Sequence, residues 1–179
     1  VVDGDTSTND TVILAATGKA GKIGIRKFQP ALEFVCTELA KMIVKDGEGA
    51  TKFIEINITG ARSIHDARKA AKAVVRSPLV KTAFFGADPN WGRVVCAIGY
   101  SNAKLVPEKI KLKFSDRVNE AVLVDRGTIH NELLDQAKQI MMNREILISA
   151  DLGLGRASAT AWGCDLSYDY VTINGKYTT

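Results

Sequence analysis

Glu48 stands between two glycines, in Asp46-Gly47-Glu48-Gly49-Ala50. A carboxylate on so pared-down a loop can meet an ammonium group with no neighbouring side chain in the way. A solvated loop glutamate is the plainer reading, and the residues alone favour it. A second concentration of polar groups lies over Gly86–Gly92, where Asp88, Pro89, Asn90 and Trp91 fall together, with Arg93 just beyond. Asp88-Pro89 is a turn or helix-start signal. The free N–H groups of a helix beginning at Trp91 would point back at that turn. It reads first as a capped turn between core elements and second as a ligand site. Gly4-Asp5-Thr6-Ser7-Thr8-Asn9-Asp10 could hold a cation or a polar ligand, or equally bond its own backbone as a turn.

Other chemistry is excluded by spacing. Cys36, Cys96 and Cys164 lie far apart, and neither His65 nor His130 completes a zinc-type pattern, so no metal site is expected. Each cysteine has apolar neighbours, which predicts buried free thiols in a reducing compartment. His65 reads as an exposed first-turn residue rather than a base. Gly153-Leu154-Gly155 begins like a dinucleotide loop, but Ser158 stands at the third glycine and too little chain follows for a βαβ unit. The net charge of +4 is scattered among acids, with no basic cluster interleaved with aromatics, so no nucleic-acid partner is expected. No apolar run approaches the ~20 residues of a membrane span. Val1 leads at once into a polar, acidic loop, so no signal peptide is expected.

These residues need elements to position them. The 179 residues, 46% of them apolar, fit one domain or two small ones. Thr11–Ala16 reads as a buried strand or short helix. Phe28–Lys45 reads as a helix starting near Pro30, with a core-facing stripe of Leu32, Val35, Cys36, Leu39, Met42 and Ile43. Alternation at Ile54, Ile56 and Ile58 predicts a half-buried strand over Thr51–Thr59. Ser63–Arg76 is a capped helix with Ile64, Ala67, Ala71, Val74 and Val75 inward. Trp91, Val94, Val95 and Ile98 have helical spacing. Strands are expected over Ile110–Phe114, Glu120–Asp125, Glu145–Asp151, Ala159–Leu166 and Tyr168–Ile173, a helix over Glu132–Met142, and a tight turn at Asn174-Gly175. The class is α+β, helices packed on a mixed or antiparallel sheet. A break over Ser101–Glu108 divides two expected lobes, 1–105 and 106–179.

Four stretches carry a resemblance: Gly4–Asp10, Asp46–Lys52, Ser77–Tyr100, and Ala161-Trp162-Gly163-Cys164-Asp165-Leu166 with Asp169-Tyr170-Val171 onward to Thr179. In this order, from Val1 to Thr179, they closely resemble the ornithine acetyltransferase family, whose bacterial members are bifunctional acetyltransferases of arginine biosynthesis. The resemblance implies a self-processing, N-terminal-nucleophile-like protein. Its precursor cuts itself at an Ala–Thr bond, and the new N-terminal threonine becomes the nucleophile, with its own α-amine as base. It implies a ping-pong cycle from N-acetylornithine to glutamate, acetyl-CoA as a further donor in many members, no tightly bound cofactor, a cytoplasmic setting, and a dimer of cleaved heterodimers.

By the same resemblance, Glu48, Asn174 and Thr179 contact the amino-acid substrate. Glu48 would hold its ammonium group, Asn174 an amide or carboxylate, and Thr179 would offer a hydroxyl. The chain begins with Val1 rather than Thr, and its Ala–Thr pairs lack the Met-rich surroundings of the family's cleavage point. The expectation is therefore a C-terminal part of the second subunit with no catalytic residue of its own. Its partners would be the first chain and the start of the second, and alone it would be inactive. A non-catalytic amino-acid-binding module and a self-processing aminopeptidase-like protein are the competing readings.

Overall fold

The alternation of Ile54, Ile56 and Ile58 decides which way the sheet faces. They lie on β1 (Phe53–Ala61), paired in parallel with β5 (Glu145–Asp151), which sets them opposite Ile146, Ile148 and Ala150. Beyond β5 comes β2 (Lys111–Ser115), antiparallel, with Leu112 opposite Ala150 and Phe114 opposite Ile148. Cross-strand partners point to the same side, so one face is continuously apolar. The computed structural model describes residues 1–177. With β3 (Glu120–Asp125), β4 (Thr128–Ile129) and β6 (Ala157–Cys164), the strands form one mixed sheet in the order β4-β3-β2-β5-β1-β6. This is the α+β class read from the sequence. Strands from before and after residue 105 share this sheet.

α1 (Ile25–Lys45) precedes the sheet, and five helices follow: α2 (Ile64–Arg76), α3 (Pro78–Phe85), α4 (Trp91–Gly99), α5 (Leu134–Met141) and α6 (Tyr168–Lys176). α2 and α5 cover the apolar face through Ala67, Ala70, Ala71 and Val74 and through Ala137, Ile140 and Met141, all buried with the isoleucines in one core. The alanines of α2 let its backbone come close to the sheet. The starts of α2, α3 and α4 carry side-chain caps. Ser63 accepts from Asp66 N at 3.1 Å, Ser77 from Val80 N at 3.3 Å, and Asn90 from Arg93 N at 3.1 Å. On the opposite face, Glu55, Asn57, Thr59, Lys113 and Ser149 are only half-buried. There the end of α1 packs Val44 on Phe53 and Cys164, with Trp162 alongside.

Several expectations are corrected. Thr11–Ala16 is irregular rather than a buried strand or helix, with Val12 94% and Ile13 82% exposed. α1 is helical as its periodicity predicts, yet Val35, Leu39, Met42 and Ile43 are each more than half exposed and only Val44 is buried. A 3.6-residue stripe fixes a helix's apolar side but not what covers it. Cys36, on that stripe, and Cys96, on the outer side of α4, are exposed; only Cys164 is buried. Ile64 is exposed as well. Tyr168–Ile173 is the body of α6 rather than a strand, and Asn174-Gly175 continues the helix rather than turning. The Ser167 cap and Asp169 in the first turn favour the helix over the β-branched pair Val171-Thr172.

Candidate functional site

α1 ends at Lys45 and the chain turns through Gly47-Glu48-Gly49, closed by Ala50 N on Gly47 O at 2.9 Å. Gly49 has φ +64°, and a Cβ there would lie 2.5 Å from Tyr170 N and 2.8 Å from Ser167 Oγ. The loop thus sits flush on the first turn of α6, which only glycine permits. Ser167 Oγ donates to Gly49 O at 2.6 Å and accepts from Tyr170 N at 3.3 Å. Asp165, buried, accepts from Thr51 N and Lys52 N, both at 2.9 Å, and from the Thr51 hydroxyl. Farther along α6, Asn174 Nδ2 donates to Glu48 Oε2 at 2.6 Å and to Tyr170 O at 3.0 Å. Two residues 126 positions apart therefore meet.

A third segment joins them. Tyr170 Oη donates to Asp3 Oδ2 at 3.0 Å. Burial, then the hydrogen bond to Asp3, pushes the Tyr170 pKa up to about 12. The Asp5 N–H, followed by Tyr170, holds the Asp3 carboxyl below its ordinary value against the opposing effect of burial. Val2 approaches Gly47 so closely that a Cβ there would lie 3.2 Å from it. Val2 and Asp3 also line a cleft of about 460 Å³ whose far wall is Lys72 and Arg76. Both amide N–H groups of Asn174 are engaged within the protein. What the pair presents is acceptors, the Asn174 carbonyl oxygen and the Glu48 carboxylate, in an exposed position. Acceptors without donors suit an ammonium group.

The remaining candidates fall elsewhere. Thr179 lies outside the described residues. In the turn before α4, Asn90 caps the helix and donates to Asp88 at 3.0 Å, while Arg93 donates to Leu79 O at 2.8 Å. That turn joins elements. In the Gly4–Asp10 loop, Asp5 N bonds Asp3 and Asp10 N bonds Ser7, so it ties its own backbone. In Gly153-Leu154-Gly155, Leu154 N and Gly155 N converge on Gly60 O at 2.7 and 2.8 Å, closing the β5–β6 connection. Two lysines hold the helices. Lys81 donates to Cys164 O from a buried position, and Lys52 donates to Phe84 O and Met141 O, both at 2.6 Å. Burial lowers the pKa of each. Among the described residues no group of three or more His, Cys, Asp or Glu is gathered to hold a metal, and no helix is long and apolar enough to cross a membrane.

Asp3, Asp165, Ser167 and Tyr170 did not stand out in the sequence as parts of this junction. The one local signal was Ser167 with Asp169 two residues on, a helix-start pattern masked by the tyrosines and β-branched residues around it.

The ArgJ family model matches residues 1–179. The chain is 54% identical over 185 residues to the glutamate N-acetyltransferase of Methanosarcina acetivorans, covering 100% of this chain and 47% of that protein. It is 48% identical over 183 residues to the arginine biosynthesis bifunctional protein ArgJ 1 of Clostridium acetobutylicum, covering 98% and 45%. The chain spans about half the length of the curated relatives it matches. The crystal structure of the arginine biosynthesis bifunctional protein argJ from Bacillus halodurans superposes with a TM-score of 0.91 at 42% identity, over 99% of this chain and 85% of that one. The four motifs and the whole-chain matches agree, and the chain belongs to the ArgJ family.

Proposed function

We propose that this chain is the amino-acid-binding part of a glutamate N-acetyltransferase of arginine biosynthesis. The observation that carries the reading is the Glu48–Asn174 contact at 2.6 Å, which gathers acceptors for an ammonium group at one exposed point. In the cycle, a threonine hydroxyl outside this chain attacks the acetyl carbonyl of N-acetylornithine and passes its proton to its own α-amine. The tetrahedral adduct expels ornithine, which takes up that proton. The neutral amine of glutamate then attacks the acetyl-threonine ester. The threonine oxygen is expelled and regains, through the α-amine, the proton that the attacking nitrogen loses, and N-acetylglutamate departs. Glu48 holds the free ammonium group of the ornithine substrate, with Asn174 beside it, and Thr179 offers the substrate a hydroxyl. Acetyl-CoA is a second donor to try in the same assay, and no tightly bound cofactor is needed. In the complete enzyme, Glu48→Gln is expected to raise the KM for N-acetylornithine roughly tenfold or more, the size of a lost charge-assisted hydrogen bond. An unchanged KM refutes the role.

The exposed apolar surface supports partners of the expected kind. Val35, Leu39, Met42 and Ile43, along one stripe of α1, are exposed, and so are Val12 and Ile13. Full burial of each such side chain stabilises by ~1.5–3 kcal/mol, which favours an apolar partner over water on this stripe. The occupant on this reading is the other half of the family's length, the first chain and the start of the second produced by self-cleavage, with two such heterodimers pairing. The enzyme works in the cytoplasm on this reading, beside the amino-acid pool it draws on.

A further inference from the structure

Ser167 is 5% exposed and uses one oxygen for two purposes. As acceptor it caps α6, and as donor it holds Gly49 O. A helix cap needs only the first bond. The second ties the start of the helix that carries Asn174 to the loop that carries Glu48. Asp165 fixes the far side of that loop through Thr51 and Lys52. The gap cannot narrow, because Gly49 already lies against Tyr170 N, and the Ser167 bond to Gly49 O keeps it from widening. Asn174 is seven residues beyond the cap, about 10 Å along the axis. A tilt of about 10° at the cap would therefore move it by roughly 2 Å, enough to break its 2.6 Å bond to Glu48.

We propose that Ser167 is a positioning residue for substrate binding: its hydroxyl clamps the Gly47-Glu48-Gly49 loop to the start of α6 and so sets the Glu48–Asn174 geometry that receives the ammonium group. The inference rests on the reading of Glu48 and Asn174 as substrate contacts. It assigns Ser167 no contact with substrate.

The test is steady-state kinetics of the complete enzyme with N-acetylornithine, for Ser167→Ala, Ser167→Gly, Ser167→Thr, Glu48→Gln and the double variant S167A/E48Q. Glycine serves well as a helix N-cap, so S167G removes the clamp while sparing the helix start. Both S167A and S167G are expected to raise KM about five- to tenfold with kcat within about twofold of the parent, because the nucleophile lies elsewhere. S167T restores KM to within about twofold. The double variant is expected to be no worse than E48Q alone, since both changes remove one interaction. If E48Q raises KM while S167A and S167G do not, or if the S167A effect adds in full to that of E48Q, the positioning role is overturned and the substrate reading stands. If E48Q leaves KM unchanged, both fall. Loss of folding in both S167A and S167G would also overturn the proposal, since the hydroxyl would then be holding the fold rather than the pair.

Discussion

Glu48 receives Asn174 at 2.6 Å, and Tyr170 reaches back from the same helix to Asp3 at 3.0 Å. The tyrosine is the residue whose titration reports the junction directly. Its folded-state pKa, raised to about 12 by burial and then by Asp3, lies above the ordinary value of 10.0. The neutral hydroxyl therefore contributes stability that is fully present below about pH 10 and is lost as pH rises through about 12. An alkaline titration followed by tyrosinate absorbance is expected to show one tyrosine ionising near 12, a step that Tyr170→Phe removes. Asp3→Asn should lower it only in part, because burial is the larger cause. Absence of the late step, or its survival in Tyr170→Phe, contradicts the contact. At this scale the sequence was legible only through its motifs. Glu48 looked like a solvated glutamate, and nothing local said that residues 3, 48, 167 and 174 meet, because such contacts are made by the fold and not by spacing.

The elements themselves were mostly legible. Alternating isoleucines gave β1, and Glu120–Asp125 and Glu145–Asp151 form strands over the predicted spans. The Ser63 cap marked α2, and Asp88-Pro89 with the spacing of Trp91, Val94, Val95 and Ile98 marked α4, whose cap in the structure is Asn90. α6 was misread because Tyr168, Tyr170, Val171 and Ile173 have strand-like character, while the Ser167 cap that decides the matter also depends on a bond to Gly49 across the fold. Gly49 is the position where backbone and packing meet. Gly49→Ala is expected to destabilise the chain by ~1–3 kcal/mol, since alanine there is strained at φ +64° and meets Tyr170 N. Denaturant unfolding checks this, and an unchanged midpoint would contradict the close docking of loop on helix.

One sheet collects strands from residue 53 to residue 164, and its helix-covered face supplies the main core. What the sequence could not reveal is that the stripe of α1 lies outside that core; its periodicity is the same whether the partner is this chain or another. Leu39→Glu with Met42→Glu is expected to leave the stability of this chain within about 0.5 kcal/mol, as surface changes do, while weakening assembly with the remaining segments at least roughly tenfold, since two buried apolar side chains would be lost. Sedimentation of co-expressed segments reads this out. Equal assembly by the double variant would show that another surface joins them.

If this chain binds the substrate while a companion segment carries the acetyl group, intact-mass measurement of the natively purified assembly before and after N-acetylornithine will separate the two roles. One acetyl group is expected to be gained on a companion segment with an N-terminal threonine, none on this chain, and to be lost when glutamate is added. Acetylation of this chain itself, or acetyl transfer by this polypeptide shown pure by mass, would contradict it.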